Sequence, residues 1–398
     1  MKQFLCAMSM AMAGAAAADP DPAAWDSVLK EAEGQVVYWN AWGGSTTTND
    51  FISWVGTRVY DEFGVTLEHV KLSDTADAVG RVIAEKSSGQ DEGGAVDMIW
   101  INGANFSAMK DANLLFGPFA EALPNWQFVD VEGKSVTRDF TVPTEGFESP
   151  WAMAQVVFIY DSAVLPDPPR SAKAISAWIA ENPGRFTFPQ PPDFLGTTFL
   201  KQMLIELVHD PDLLQQPVGD DYATVTQPLW EWLDTVTPHL WRSGRAYPKT
   251  GPLQLQLIND GEIDMAISFS PGEATAAIAN AQLPDTARTF VLDGGTLGNA
   301  SFVAIPYNAS AKAGAMVVAN FLISPEAQLR AQNPEILGYG TVLDMGALPE
   351  ADRAAFDSLD LGIATLSPAE LGSALPEPHP SWMTRIEADW AKTYGVGK

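Results

Sequence analysis

The chain has 398 residues, 46% of them hydrophobic and 18% charged, with 50 Asp and Glu against 23 Lys and Arg and a formal charge of −27. That length exceeds what one hydrophobic core normally serves, so two domains are expected. The acidity argues against a partner among nucleic acids or anionic membranes, and the apolar content excludes a disordered chain.

Lys2, an apolar run over residues 4–15 and the small residues Ala16, Ala17 and Ala18 predict a secretory signal peptide spanning residues 1–18. Cys6 sits at the start of that run rather than after it, so no lipid anchor is expected. Loss of the leader removes the only cysteine, and with it any disulfide, thiolate nucleophile or cysteine metal site. Lys2 is the leader's one charge, so the mature form would carry −28. No later apolar run reaches the length of a membrane span, which predicts a soluble exported protein.

Residues 23–33 read as a helix, with Trp25, Val28, Leu29 and Ala32 on one face and Gly34 as its stop. A strand over residues 35–39 runs into a Gly-rich turn at 40–45. Helix 49–63, strand 65–70, helix 74–87 and strand 96–100 follow, and the last leads into Asn102-Gly103-Ala104-Asn105 and a further helix. The middle of the chain begins with an apolar strand over residues 151–160, interrupted by Gln155. Helices 174–181 and 198–208 flank a short strand at 186–188 and a rigid loop at 189–196. Helical pieces at 230–236 and 253–259 precede a strand over 263–269. Residues 301–306 form a last strand, Ser310 is expected to cap a helix reaching Leu322, and Ser324-Pro325-Glu326 starts another with an N-cap, an N1 proline and an acidic first turn.

Strands alternating with helices of this length predict α/β architecture with mostly parallel sheets covered on both faces. Ligands in such sheets lie off the carboxyl ends of the strands, which singles out the loops at residues 40–45, 102–105 and 268–273. Enzyme signatures are missing: there is no Gly-x-Ser-x-Gly elbow, P-loop or His-Glu-x-x-His. His69, His209, His239 and His379 are scattered without metal-ligand spacing. No catalytic residue, cofactor or metal site is expected.

Three segments in this order resemble the extracytoplasmic solute-binding proteins of ABC importers. They are the opening helix with Val36-Val37-Tyr38-Trp39, the helix-to-strand step Asn259-Asp260-Gly261-Glu262-Ile263-Asp264-Met265-Ala266, and Phe321-Leu322-Ile323-Ser324-Pro325-Glu326-Ala327-Gln328. Tyr38-Trp39-Asn40-Ala41-Trp42-Gly43-Gly44 and the Phe186–Gly196 stretch are similar to the YnjB-like branch, described as thiamine-type and related to thiamine, polyamine and iron binding proteins. The resemblance implies a type II periplasmic binding fold with two α/β lobes and crossing strands near residues 148–151 and 293–302. The first lobe would be 19–147 plus 298–330, the second 148–297, with 331–398 packed across both. It further implies a periplasmic protein, a small-molecule ligand, and an ABC permease of the inner membrane as partner. The chain is expected to act as a monomer and not as an enzyme.

Of the 13 tryptophans, most lie at helical spacing and read as packing. Trp39, Trp42, Trp100 and Trp151 lie at strand ends or at the hinge, where an indole either stacks on a flat or cationic ligand or fills the sheet core. The polar candidates are Asn40, Ser45, Asn102, Asn105, Gln155, Thr197 and Ser270, with Asn299 and Tyr339 from the other edge of the cleft. Asp193 and Glu273 are the carboxylates expected to face a cation, or alternatively to cap and complement their own helices. A thiamine-like cation is the favoured ligand. A polyamine or a neutral sugar or polyol is the alternative within the class, and a secreted hydrolase the alternative outside it. A ferric site of this superfamily would need adjacent tyrosines, and none of the eight is paired.

Overall fold

The computed structural model describes residues 19–396. The expected leader, with Cys6, lies outside them. The chain opens with α1 (Trp25–Ala32), β1 (Val36–Trp42), α2 (Thr46–Phe63), β2 (Thr66–Leu72), α3 (Ala76–Ser87), β3 (Met98–Ile101) and α4 (Ala104–Asp111). In β1 the side chains of Val37, Trp39 and Ala41 are buried while Val36 and Tyr38 are exposed, the period-two pattern of a strand. The Ser45 side chain accepts the Thr48 N–H at the start of α2, and Gly64 ends that helix at φ 68°, a left-handed conformation that costs glycine little.

A loop with the short hairpin β4 (Arg138–Asp139) and β5 (Val142–Pro143) leads to β6 (Glu148–Gln155) and β7 (Val157–Asp161). Next come α5 (Ala172–Glu181), α6 (Phe194–Leu207), α7 (Tyr222–Val236), α8 (Gly251–Asn259), β8 (Met265–Ser268), α9 (Glu273–Ala279), β9 (Ala287–Phe290) and β10 (Gly298–Ala304). The helices α10 (Lys312–Leu322), α11 (Pro325–Gln332), α12 (Glu350–Asp357), α13 (Pro368–Leu371) and α14 (Pro380–Thr393) complete the chain.

Two sheets organise these elements. The first has the order β2-β1-β3-β10-β6, and the second β8-β7-β9. The sheets are mixed rather than mostly parallel. Strand β1 runs parallel to β2 and β3, but β10 is antiparallel to β3 and β6, and the three strands of the second sheet are antiparallel throughout. The apolar run at residues 151–160 therefore divides. Its first part pairs with β10 in one sheet and its second with β8 and β9 in the other, with Val156 between them. The chain crosses at Val156, beyond the expected 148–151, and returns between Phe290 and Gly298. The short strand expected at 186–188 contributes one bridge, Phe186 to Met265.

Each sheet has its own core. Trp39, Phe51, Trp151, Phe302 and Met316 pack in the first unit, and Phe158, Phe188, Phe199 and Trp232 in the second. The C-terminal third serves both. Leu337, Val342 and Leu343 join the first core, while Trp382, Ile386 and Trp390 of α14 join the second, and α14 also reaches α4. Ser310 does not cap α10. Asp97 accepts the Ser310 and Ala311 N–H groups there, and the Ser310 hydroxyl donates to the Gly94 carbonyl instead. No helix among the described residues is long and apolar enough to cross a membrane.

Candidate functional site

The loops after β1, β3 and β8 and the segment around Tyr339 converge where the two units meet. On the first unit, the half-buried Trp100 lies one residue before the end of β3 and stands edge-on to Trp151 with ring centroids 4.9 Å apart. Tyr339 continues the group, 5.8 Å from Trp151 and again edge-on. Tyr339 is held by the strand-like pairing of Gly340 with Met153 of β6, through Met153 N–H to Gly340 O (2.7 Å) and the reverse (2.8 Å). Trp151 is fully buried and backs the cluster, with Trp39 edge-on behind it at 6.1 Å.

The second unit supplies Glu273 at the first turn of α9. Its carboxylate accepts a short hydrogen bond from the Ser268 hydroxyl, and burial raises its pKa against that hydrogen bond. Burial first, and then the Glu273 charge, push the Tyr339 phenol up to about 12, while the Thr48 hydroxyl counteracts them. Three aromatic rings and one carboxylate thus meet at the junction of the units. Ser270, three residues before Glu273, donates from its hydroxyl to the Leu337 carbonyl of the first unit at 2.9 Å.

A second polar group lies deeper. Lys201 of α6 is 1% exposed and its ammonium pairs with the equally buried Glu377 at 2.6 Å. The other Glu377 oxygen accepts from Asn299 of β10 at 3.0 Å. The Lys201 nitrogen also lies 4.6 Å from the Phe140 ring centroid and 5.7 Å from that of Phe194. Asp139 is buried nearby, accepting from the Gly103 N–H and from Asn102 Nδ2, and burial pushes its carboxyl up to about 8.

Of the residues singled out in the sequence, Trp100, Trp151, Ser270, Glu273 and Tyr339 come together at the junction. Trp42 is half-buried at the end of β1, with its indole folded against Gly44. Asn105 is half-buried in the first turn of α4, and its side chain has no hydrogen-bond partner among the described residues. Others are engaged within the protein. Trp39 has no exposed surface. Asn40 donates to the Tyr38 carbonyl and lines a hollow of about 270 Å³ with Tyr38, Arg81, Asp97 and Ser310. Ser45 caps α2. Asn102 donates to the Ala300 carbonyl at 2.7 Å. Gln155 donates to Thr296 and to the Leu371 carbonyl, Thr197 donates to Glu387 at 2.6 Å, and Asn299 is held by Glu377. Asp193 is the N-cap of α6, accepting from the Leu195 and Gly196 N–H groups, with its carboxyl raised to about 6 by burial.

Sequence reasoning missed Asp139, Lys201, Glu377 and the Phe194–Phe269 pair, whose centroids are 5.2 Å apart. Lys201 alone had a visible signal, as a single cation inside Phe199-Leu200-Lys201-Gln202-Met203-Leu204. Glu377 lies in a proline-spaced tail with no periodicity to mark it.

Residues 59–352 match the bacterial extracellular solute-binding protein family. The chain is 42% identical over 373 residues, 94% of each chain, to Protein YnjB of Escherichia coli (strain K12). Among solved structures it is similar to the periplasmic binding protein AfuA of Actinobacillus pleuropneumoniae, solved with fructose-6-phosphate bound. The TM-score is 0.63 at 12% identity, covering 91% of this chain and 99% of that one. It is also similar to the spermidine/putrescine substrate-binding protein PotD of Streptococcus pneumoniae (TM-score 0.60, 15% identity, 90% and 98% covered). A ferric binding protein of Campylobacter jejuni is a further likeness (TM-score 0.61, 12% identity, 90% and 98% covered). At these identities the solved structures establish the fold, a type II periplasmic binding fold, and the family carries the role. The chain therefore belongs to the bacterial extracellular solute-binding proteins, the extracytoplasmic components that bind a small molecule for an ABC transporter, and it is not an enzyme.

Proposed function

We propose that the ligand is a flat organic cation of thiamine type, taken up between the two units and enclosed by their closure. Residues 1–18 serve as a removed leader without a lipid anchor, and the loaded protein is recognised by an inner-membrane permease. The observation that carries this reading is the Glu273 carboxylate set beside Tyr339 in the cluster with Trp100 and Trp151. A carboxylate kept from water favours an incoming positive charge, and an aromatic face attracts the same charge through its quadrupole. The spermidine/putrescine substrate-binding protein PotD of Streptococcus pneumoniae shares the fold. Asn40, Gln155, Thr197 and Asn299 are engaged within the protein, whereas Trp100, Glu273 and Tyr339 of the junction cluster each keep part of their surface exposed.

Titration calorimetry of thiamine and of its neutral pyrimidine half tests the reading on the parent chain, Glu273→Gln and Trp100→Ala. Loss of the indole should cost about 1–2 kcal/mol for a desolvated stack. Glu273→Gln should weaken the cation more than the neutral analogue. Because burial raises the Glu273 pKa, acidification protonates it early, so affinity for the cation should fall as pH drops and this slope should vanish in Glu273→Gln. Equal losses for cation and neutral analogue would refute the charge reading.

A further inference from the structure

Beside the crossing at Val156, where Gln155 N–H donates to the Phe269 carbonyl at 3.2 Å, the two units touch through a second stretch of bare backbone. Gly272, which precedes Glu273, donates its N–H to the carbonyl of Gly338, which precedes Tyr339, at 3.1 Å. A Cβ placed on Gly272 would lie 2.4 Å from the Gly338 Cα, and one placed on Gly338 would lie 2.3 Å from the Gly272 Cα. Both clashes are with main chain, so no side-chain rotation relieves them. Ser270 Oγ, two residues before Gly272, donates to the carbonyl of Leu337, one residue before Gly338, at 2.9 Å and lengthens the contact. The two strips belong to different units. Residues 269–273 follow β8 and enter α9, whereas 337–340 are fixed to β6 and to the first core.

We propose that this glycine–glycine seam is the stop of the closing motion, and that Gly272 and Gly338 are positioning residues for the ligand site. The residue after each glycine is a member of the site, so bringing the two backbones into contact is the step that sets the Glu273 carboxylate against Tyr339. Any side chain at position 272 holds the strips apart and leaves the carboxylate short of its place. The position of Glu273 in the site rests on the ligand reading above, but the seam itself does not.

Gly272→Ala isolates the effect. Gly338 has φ 65°, so a substitution there is strained whatever it touches, whereas Gly272 has φ −91°, open to any residue. The full-length protein, parent and Gly272→Ala, is compared by thermal unfolding, by amide hydrogen exchange without ligand, and by calorimetry with thiamine, spermidine, glucose 6-phosphate and ferric citrate. Ser270→Ala, which removes a hydrogen bond without adding an atom, is the milder companion.

Without ligand, Gly272→Ala should unfold within about 2 °C of the parent, because the seam is a contact between units and not part of either core. Exchange should accelerate in peptides covering 270–274 and 336–341 and stay unchanged in β10. Whichever compound the parent binds, the variant should bind at least about tenfold more weakly, since its closed form is depleted. Ser270→Ala should shift both readouts the same way by less. If the parent binds only glucose 6-phosphate or ferric citrate, the cation reading fails while the seam is still read through that ligand. If the parent binds none of the four, the exchange pattern decides. Unchanged exchange at both strips overturns the seam, as does a variant that binds like the parent or one that loses stability without losing affinity.

Discussion

Lys201 and Glu377 form an ion pair in which both side chains are 1% exposed. Two charges removed from water are tolerated only when each has partners, and here Asn299 completes Glu377 while the Phe140 and Phe194 rings lie near the ammonium. Lys201→Met leaves Glu377 buried without a counter-charge and should cost about 3–5 kcal/mol in denaturant unfolding. The double variant Lys201→Met/Glu377→Met should recover most of that loss, since an apolar pair of similar volume has no desolvation penalty. If the double variant is as unstable as the single one, the loss came from packing and not from charge. A similar distinction separates the two carboxylates singled out in the sequence. Asp193 and Glu273 both lie at helix starts. Asp193 accepts from two N–H groups of its own helix, while Glu273 accepts from a serine hydroxyl and lies beside a phenol of the other unit. Sequence position alone cannot tell these apart, because the partner that decides, Tyr339, is 66 residues away in the chain.

At the scale of elements, the first unit was legible nearly in full. Alternation in Val36–Trp42 and amphipathic spacing in Thr46–Phe63 are local signals, and Ser45 and Gly64 mark where that helix begins and ends. Trp39 and Trp42 show where such reading stops. They lie on opposite faces of one strand, and only the packing of α2 and α10 decides that Trp39 is core. The run at residues 151–160 reads as a single strand, yet it serves two sheets, because strand pairing is set by distant partners and not by the run itself. The antiparallel second sheet was misjudged for the same reason. The N-cap of α6 offers a test at this scale. Asp193→Ala removes the acceptor of two N–H groups and should lower stability by about 1 kcal/mol while leaving ligand affinity unchanged. Loss of affinity without loss of stability would return Asp193 to the binding site.

For the whole molecule, the fold and the family agree on a solute-binding protein, and what stays individual to this chain is the chemistry at the junction of its units. The fold is shared by a protein solved with fructose-6-phosphate bound, a spermidine/putrescine binding protein and a ferric binding protein, so the fold does not select a ligand. In the function proposed above, that selection falls to the aromatic cluster with Glu273, by charge and by shape. The net charge of −27 adds a long-range attraction for cations that depends on salt. A ligand that binds only the folded chain also stabilises it by mass action, about 2.7 kcal/mol at 100 times its Kd. Native mass spectrometry of the purified protein, with the adduct released and identified, is the most direct test. The account predicts one bound small molecule that is positively charged and contains a flat ring, and whose occupancy drops in Glu273→Gln. An adduct that is a sugar phosphate, a ferric complex or an uncharged sugar, retained equally by Glu273→Gln, would contradict it.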